Sequence, residues 1–191
     1  IQGAEAIPVE FPTDYSLPVA LAAASARITF LANPNAPSGT LIPYEEVAAL
    51  CAAVAGVLVV DAAYVDFSAG GCIRLIDDHP NVVVVRTMSK SFSLAGMRIG
   101  FSFAPTSLVA GMWKVKDHYN VNRLSLVAAE AALEDIDVMR SNAAQIQKTR
   151  RRLSSCLRDL GFHVWDSHAN FVLARSSRDA AALYEGLQER K

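Results

Sequence analysis

The chain is poor in cysteine, and the three it has, Cys51, Cys72 and Cys156, form no CxxC pair and no metal-ligand spacing. That argues against a disulfide scaffold and against a zinc site. An odd count without a framework points to a reducing compartment, the cytoplasm. Net charge is lacking too: 18 basic residues face 19 acidic ones, a formal balance of −1. Such a balance argues against a nucleic-acid binder. The single basic run, Lys148-Thr149-Arg150-Arg151-Arg152, reads as a solvated helix face. No apolar stretch is long and clean enough to cross a membrane. No signal peptide, internal repeat or low-complexity linker stands out. The chain starts at Ile1 rather than a methionine and stops at Lys191 within a helical pattern. We therefore expect a piece of a longer protein.

What is present is apolar. Hydrophobic residues make up 52% of the 191, so disorder is not the default. The length suffices for one sizeable core, or for a domain and part of another. Residues 29–32 form a short apolar strand, followed by the turn-rich Asn33-Pro34-Asn35-Ala36-Pro37-Ser38-Gly39. Pro43 suits a helix start, with Glu45 and Glu46 at the positive end of its dipole. Val47, Leu50, Cys51 and Val54 then keep helical spacing, and Gly56 ends the helix. The β-branched runs at 57–61 and 82–87 read as buried strands. A further strand is expected at 98–103, and helices at 107–117 and 124–133. A long helix begins near Asp137 and stops at Gly161. Its face is Met139, Ala143, Ile146, Leu153, Leu157 and Leu160, with Arg150 as an interruption. It would span roughly 35 Å, enough to join two domains. Short strands at 162–165 and 170–174 and a helix from about Arg178 follow.

Strands that are apolar throughout, alternating with helices, indicate an α/β fold with a mostly parallel sheet covered on both faces. Ligands of such folds sit at the carboxyl ends of the strands. The polar signals fall there: Asn35 after one strand, Asp61 and Tyr64 after the next, Ser89 and Lys90 after a third.

Lys90 at a strand exit would be partly desolvated, which lowers a lysine's pKa and frees its amine for Schiff-base chemistry. Taken alone, it reads first as an ordinary surface lysine at a strand exit. Arg98 lies eight residues on and is of the type that grips a phosphate with two parallel hydrogen bonds. Thr87 and Ser89 offer hydroxyls to the same anion, and Gly96 would allow the tight turn that returns Arg98 toward Lys90. A salt-bridged arginine at a strand start fits as well. Asp61, at the end of a buried strand, needs something to satisfy it. A protonated ring nitrogen would do so, and Tyr64 could bond the same ring's phenolic oxygen. A metal ligand, a helix cap or a turn aspartate are the other readings. The loop at 33–39 is either a surface turn or a rigid frame presenting Asn35 to a ring oxygen.

Taken together, these motifs resemble the class I/II aminotransferases of fold type I. The order Asn-Pro-Asn-x-Pro-Ser-Gly, Asp-x-Ala-Tyr, Thr-x-Ser-Lys-x-Phe-x-Leu-Ala-Gly-x-Arg-x-Gly is matched in spacing from Asn33 to Gly100. Tyr119-Asn120-Val121-Asn122 and Ser167-His168-Ala169-Asn170-Phe171-Val172-Leu173 look like the histidinol-phosphate branch of that family. The resemblance implies a three-layer αβα domain at 1–136, a long interdomain helix at 137–160, and the start of a smaller α+β domain at 161–191. It implies pyridoxal 5'-phosphate as cofactor. Lys90 would bond it and move protons. Asp61 would pair with the pyridine nitrogen, Tyr64 and Asn35 would bond ring oxygens, and Thr87, Ser89 and Arg98 would hold the phosphate.

The resemblance further implies a small-molecule amino donor, a 2-oxo acid acceptor and a homodimer, with neither nucleic acid nor membrane as partner. Many relatives carry a second asparagine where this chain has Ala36. The family's glycine-rich phosphate loop would precede Ile1, and its substrate-carboxylate arginine would follow Lys191. The piece alone is therefore expected to be inactive or nearly so. The same motifs occur in phosphothreonine decarboxylases, in aminotransferases for aromatic or aliphatic amino acids, and in non-enzymatic regulators that fuse this fold to a DNA-binding domain.

Overall fold

The computed structural model describes residues 3–190. The expected chain ends Ile1 and Lys191 lie outside these. A short helix α1 (Ala20–Ala23) leads into strand β1 (Ile28–Ala32), helix α2 (Tyr44–Ala53) and strand β2 (Val57–Asp61). A 3-10 turn (Val65–Phe67) and helix α3 (Leu75–Asp78) precede strand β3 (Val82–Thr87). A second 3-10 turn (Ala95–Met97) leads to β4 (Gly100–Phe103). Three helices follow: α4 (Thr106–Val115), α5 (Arg123–Glu134) and α6 (Ile136–Asp159). The strands β5 (His163–Val164) and β6 (Ala174–Arg175) and helix α7 (Ala180–Gln188) complete the described chain.

The main sheet has the order β1-β2-β3-β4. The first three strands run parallel and β4 antiparallel. Antiparallel pairing follows from the connection: the chain between β3 and β4 holds only a 3-10 turn, with no helix to carry a crossover. Register places Leu31 beside Val60 and Val60 beside Val84. Those residues share one face with Leu58 and Val82, and α2 covers it with Val47, Leu50 and Cys51. Pro43 opens α2, and Glu45 and Glu46 sit in its first turn as the dipole favours.

Gly56 serves a different purpose from the helix stop expected of it. Helix α2 ends at Ala53, with Val54 already extended. A Cβ on Gly56 would lie 2.2 Å from the Arg27 carbonyl oxygen, so glycine is required by close approach of the two chains.

The opposite sheet face departs from expectation. Coverage of both faces does not hold along β1, where Ile28 and Phe30 are 53% and 71% exposed. Strand β4 is also shorter than expected. It starts at Gly100, because Arg98 adopts a left-handed backbone (φ 51°, ψ 46°) that no strand accommodates.

Helix α6 has 24 residues, about 36 Å of rise, and ends where Gly161 turns left-handed at φ +83°. Its expected stripe is corrected in part: Ala143 is buried as expected, but Leu153 and Leu160 are exposed and Ser154, outside the stripe, is buried. Arg150 lies on the inward side and interrupts nothing: its Nη1 donates to the carbonyls of Phe67 (3.0 Å) and Ala169 (2.5 Å). The basic run is therefore not a uniformly solvated face. Among the described residues, no helix is long and apolar enough to cross a membrane.

Candidate active site

Three consecutive loops at the carboxyl ends of β1, β2 and β3 carry the candidate residues. The first is tied down from below. Buried Asn33 donates from its amide to the Ile42 carbonyl (3.0 Å) and accepts from the Ile42 N–H (2.8 Å). Its backbone N–H reaches the Asp61 carbonyl on the neighbouring strand at 2.9 Å. Asn35 is buried and gives one amide proton to Ser38 Oγ at 2.7 Å. Gly39 closes the loop at φ +77°, and a Cβ there would sit 2.2 Å from Ser167 Oγ. The His168 N–H donates to the Gly39 carbonyl at 2.6 Å. Segment 167–171 is thus seated directly on the first loop.

In the second loop, Asp61 is exposed, and its Oδ1 accepts from the Ala63 N–H at 3.0 Å. The expectation that burial demands a partner for Asp61 fails. A strand's last residue points to the rim, where water reaches it. Tyr64 is half-buried, with the Phe171 ring edge-on at 5.0 Å between centroids.

The third loop carries Lys90. Its amine lies 5.3 Å from the centroid of the Tyr64 ring, a cation–π distance. Lys90 is exposed, so the desolvation expected at a strand exit is absent from these residues. Thr87 Oγ1 accepts from the Ser89 N–H at 3.1 Å. Arg98 is exposed and donates from one guanidinium nitrogen to the Ala95 carbonyl at 3.1 Å. Gly96 does not make the tight turn expected of it. It sits in the 3-10 turn with open space around it, and the left-handed positions are Ser93 and Arg98.

Residues that sequence reasoning missed lie behind this rim. Asp66 forms an ion pair with Arg86 and accepts from Ser91 Oγ at 2.5 Å. A lone arginine closing the valine run 82–85 was the available signal. Its partner, twenty residues earlier, carried none. Arg150 and His168 belong to the same neighbourhood. Burial pushes the His168 pKa below its usual 6.5, and the Arg150 charge adds to the shift.

The arrangement brings an amine, an aromatic ring and a carboxylate to adjacent strand ends, with hydroxyls and a guanidinium on the amine's own loop. It suits an anionic ring compound bearing a carbonyl. Residues 17–191 match the family model for aminotransferase class I and II, and the chain belongs to that family. It is 40% identical to histidinol-phosphate aminotransferase 1 of Trichormus variabilis, over all of this chain and 55% of that protein. Against the Nostoc sp. protein of the same name, identity is 42% with the same coverage. The fold matches histidinol-phosphate aminotransferase from Sinorhizobium meliloti, solved in complex with pyridoxal-5'-phosphate. There the TM-score is 0.80 and identity 31%, over 92% of this chain and 50% of that one. The chain thus spans about half the length of these relatives.

Proposed function

We propose that the parent protein is a pyridoxal-phosphate-dependent aminotransferase acting on histidinol phosphate with 2-oxoglutarate. The observation that carries this is the Lys90 amine over the Tyr64 ring, beside Asp61 at the end of the adjoining strand. The donor set fits the cofactor. Asp61 keeps Oδ2 free of the protein contact made by Oδ1, and Lys90 forms no ion pair among the described residues. Arg98 has guanidinium protons beyond the one given to Ala95.

Bound pyridoxal phosphate supplies an electron sink that makes the substrate's α-proton removable. Asp61 would hold the pyridine nitrogen protonated by a charge-assisted hydrogen bond. Tyr64, with the second amide proton of Asn35, would bind the ring's oxygen. Thr87, Ser89 and Arg98 would grip the phosphate. Lys90 would hold the cofactor's carbonyl end covalently and would serve as the group that takes up and returns the substrate's α-proton. We assign residues 1–136 to the large cofactor domain, 137–160 to the joining helix and 161–191 to the start of the small domain. The two-stranded β5–β6 sheet after α6 supports that division. The parent is read as a homodimer on the habit of its family, and as cytoplasmic from its three free thiols.

Borohydride reduction of the full-length protein with pyridoxal phosphate, followed by peptide mapping, tests the reading. Label on Lys90 and loss of turnover in Lys90→Ala are expected. An unlabelled Lys90 would refute it. Carbon dioxide release in place of amino transfer would assign the phosphothreonine-decarboxylase reading instead.

A further inference from the structure

We propose that Asp66 is a positioning residue for Lys90, acting through Ser91; this rests on the reading of Lys90 as the cofactor lysine. Ser91 follows Lys90 directly and is 4% exposed. Its hydroxyl donates to Asp66 Oδ2 at 2.5 Å, while Arg86 engages the other carboxylate oxygen. The carboxylate is therefore held on one side by strand β3 and holds the lysine loop on the other. The side chains of Asp66 and Arg86 are only 15% and 24% exposed, so the pair is sheltered from bulk water.

The residue before Lys90 is held as well. The Ser89 N–H is bonded to Thr87 Oγ1 at 3.1 Å, and the Lys90 carbonyl accepts from the Ser93 N–H at 3.2 Å. Both neighbours of Lys90 and its own backbone are fixed, and the side chain alone is left to move. A lysine that must first bond a carbon and then pass a proton needs this: a fixed root and a mobile tip.

A pair serving stability alone would join β3 to the 3-10 turn at 65–67 with no need of Ser91. Removing the Ser91 hydroxyl separates the two roles, because the Asp66–Arg86 pair survives it. The Ser91→Ala and Ser91→Thr variants of the full-length protein, together with Asp66→Asn, form the test. Ser91→Ala is expected to lower kcat about tenfold, with KM for the amino donor within about twofold. It is also expected to slow capture of pyridoxal phosphate by the apo-protein, followed by absorbance at a temperature well below the apo melting point, which the lost hydrogen bond lowers by a few degrees without unfolding the protein. Ser91→Thr restores both rates, and Asp66→Asn weakens them as Ser91→Ala does.

Unchanged kcat and capture rate in Ser91→Ala would overturn the proposal, as would a Ser91→Thr variant as slow as alanine. If Asp66→Asn does not fold, the two serine variants decide alone. Wild-type protein labelled at Lys90 alongside an unaffected Ser91→Ala sinks this inference and spares the functional reading. Wild-type protein without label removes both.

Discussion

Replacing Arg150 with methionine keeps the stem of the side chain on helix α6 and removes its head. Two hydrogen bonds disappear, to the carbonyls of Phe67 and Ala169, both in residues with no measurable exposure. Hydrogen bonds to a charged donor contribute about 1.5–3 kcal/mol each. Arg150 is only half-buried, so water reaches part of the vacated space, and screening brings the pair to the lower end of that range or somewhat below it, about 2–3 kcal/mol in all. The loss falls on the seating of segment 167–171 against the first loop, where the His168 N–H meets the Gly39 carbonyl. Native-state hydrogen exchange reads that opening directly. At 1.4 kcal/mol per decade, exchange at the His168 amide should accelerate by roughly 30- to 150-fold. Amides in β2 and β3 should not change. Acceleration below about threefold at His168 would refute the argument that Arg150 holds this segment. A uniform acceleration throughout the protein would refute its local character.

Two further outcomes follow from burial. His168 has its folded pKa below the unfolded value of 6.5, through burial first and Arg150 second. The unfolded chain therefore takes up its proton first as pH falls. The stability that neutral His168 allows is complete above 6.5 and is lost as pH drops through the lower folded value. Denaturant midpoints of wild type and His168→Gln, compared at about pH 7.5 and 5.5, should show the larger acid loss in wild type; equal losses would contradict this. Burial, with Cys72 second, raises the Cys51 thiol to about 11, and burial raises Cys72 as well, whereas Cys156 is exposed. Iodoacetamide on the native protein near neutral pH should label Cys156 and spare the other two, as read by mass spectrometry.

Strands β2 and β3 were legible to the residue, since each is a β-branched run with a turn residue before it, Gly56 and Asn81. The end of α6 was legible from Gly161 for the same local reason. Failures came where a residue's partner is far along the chain. Arg150 reads as a surface charge because the carbonyls it holds lie 83 and 19 residues away. The Asp66 network spans gaps of 20 and 25 residues and leaves no spacing signature. Asp61 and Lys90 were placed at the correct strand ends, yet their exposure depends on which surfaces close over the rim, and no periodicity encodes that. The left-handed backbone of Arg98 was hidden because glycine, the residue that advertises such a conformation, stands two places earlier at Gly96.

On the proposed role of Arg98 as a phosphate ligand, its backbone sets cofactor binding and folding against each other at a single codon. A left-handed conformation carries a penalty of about 1 kcal/mol for any residue with a Cβ, and glycine is free of it. The guanidinium is thus retained at the expense of the chain that presents it. A descendant released from the need to hold a phosphate would gain stability by drifting to glycine at this position, while one still turning over substrate would not. On that proposed role, arginine rather than glycine at position 98 is what a working copy of this sequence would be expected to keep.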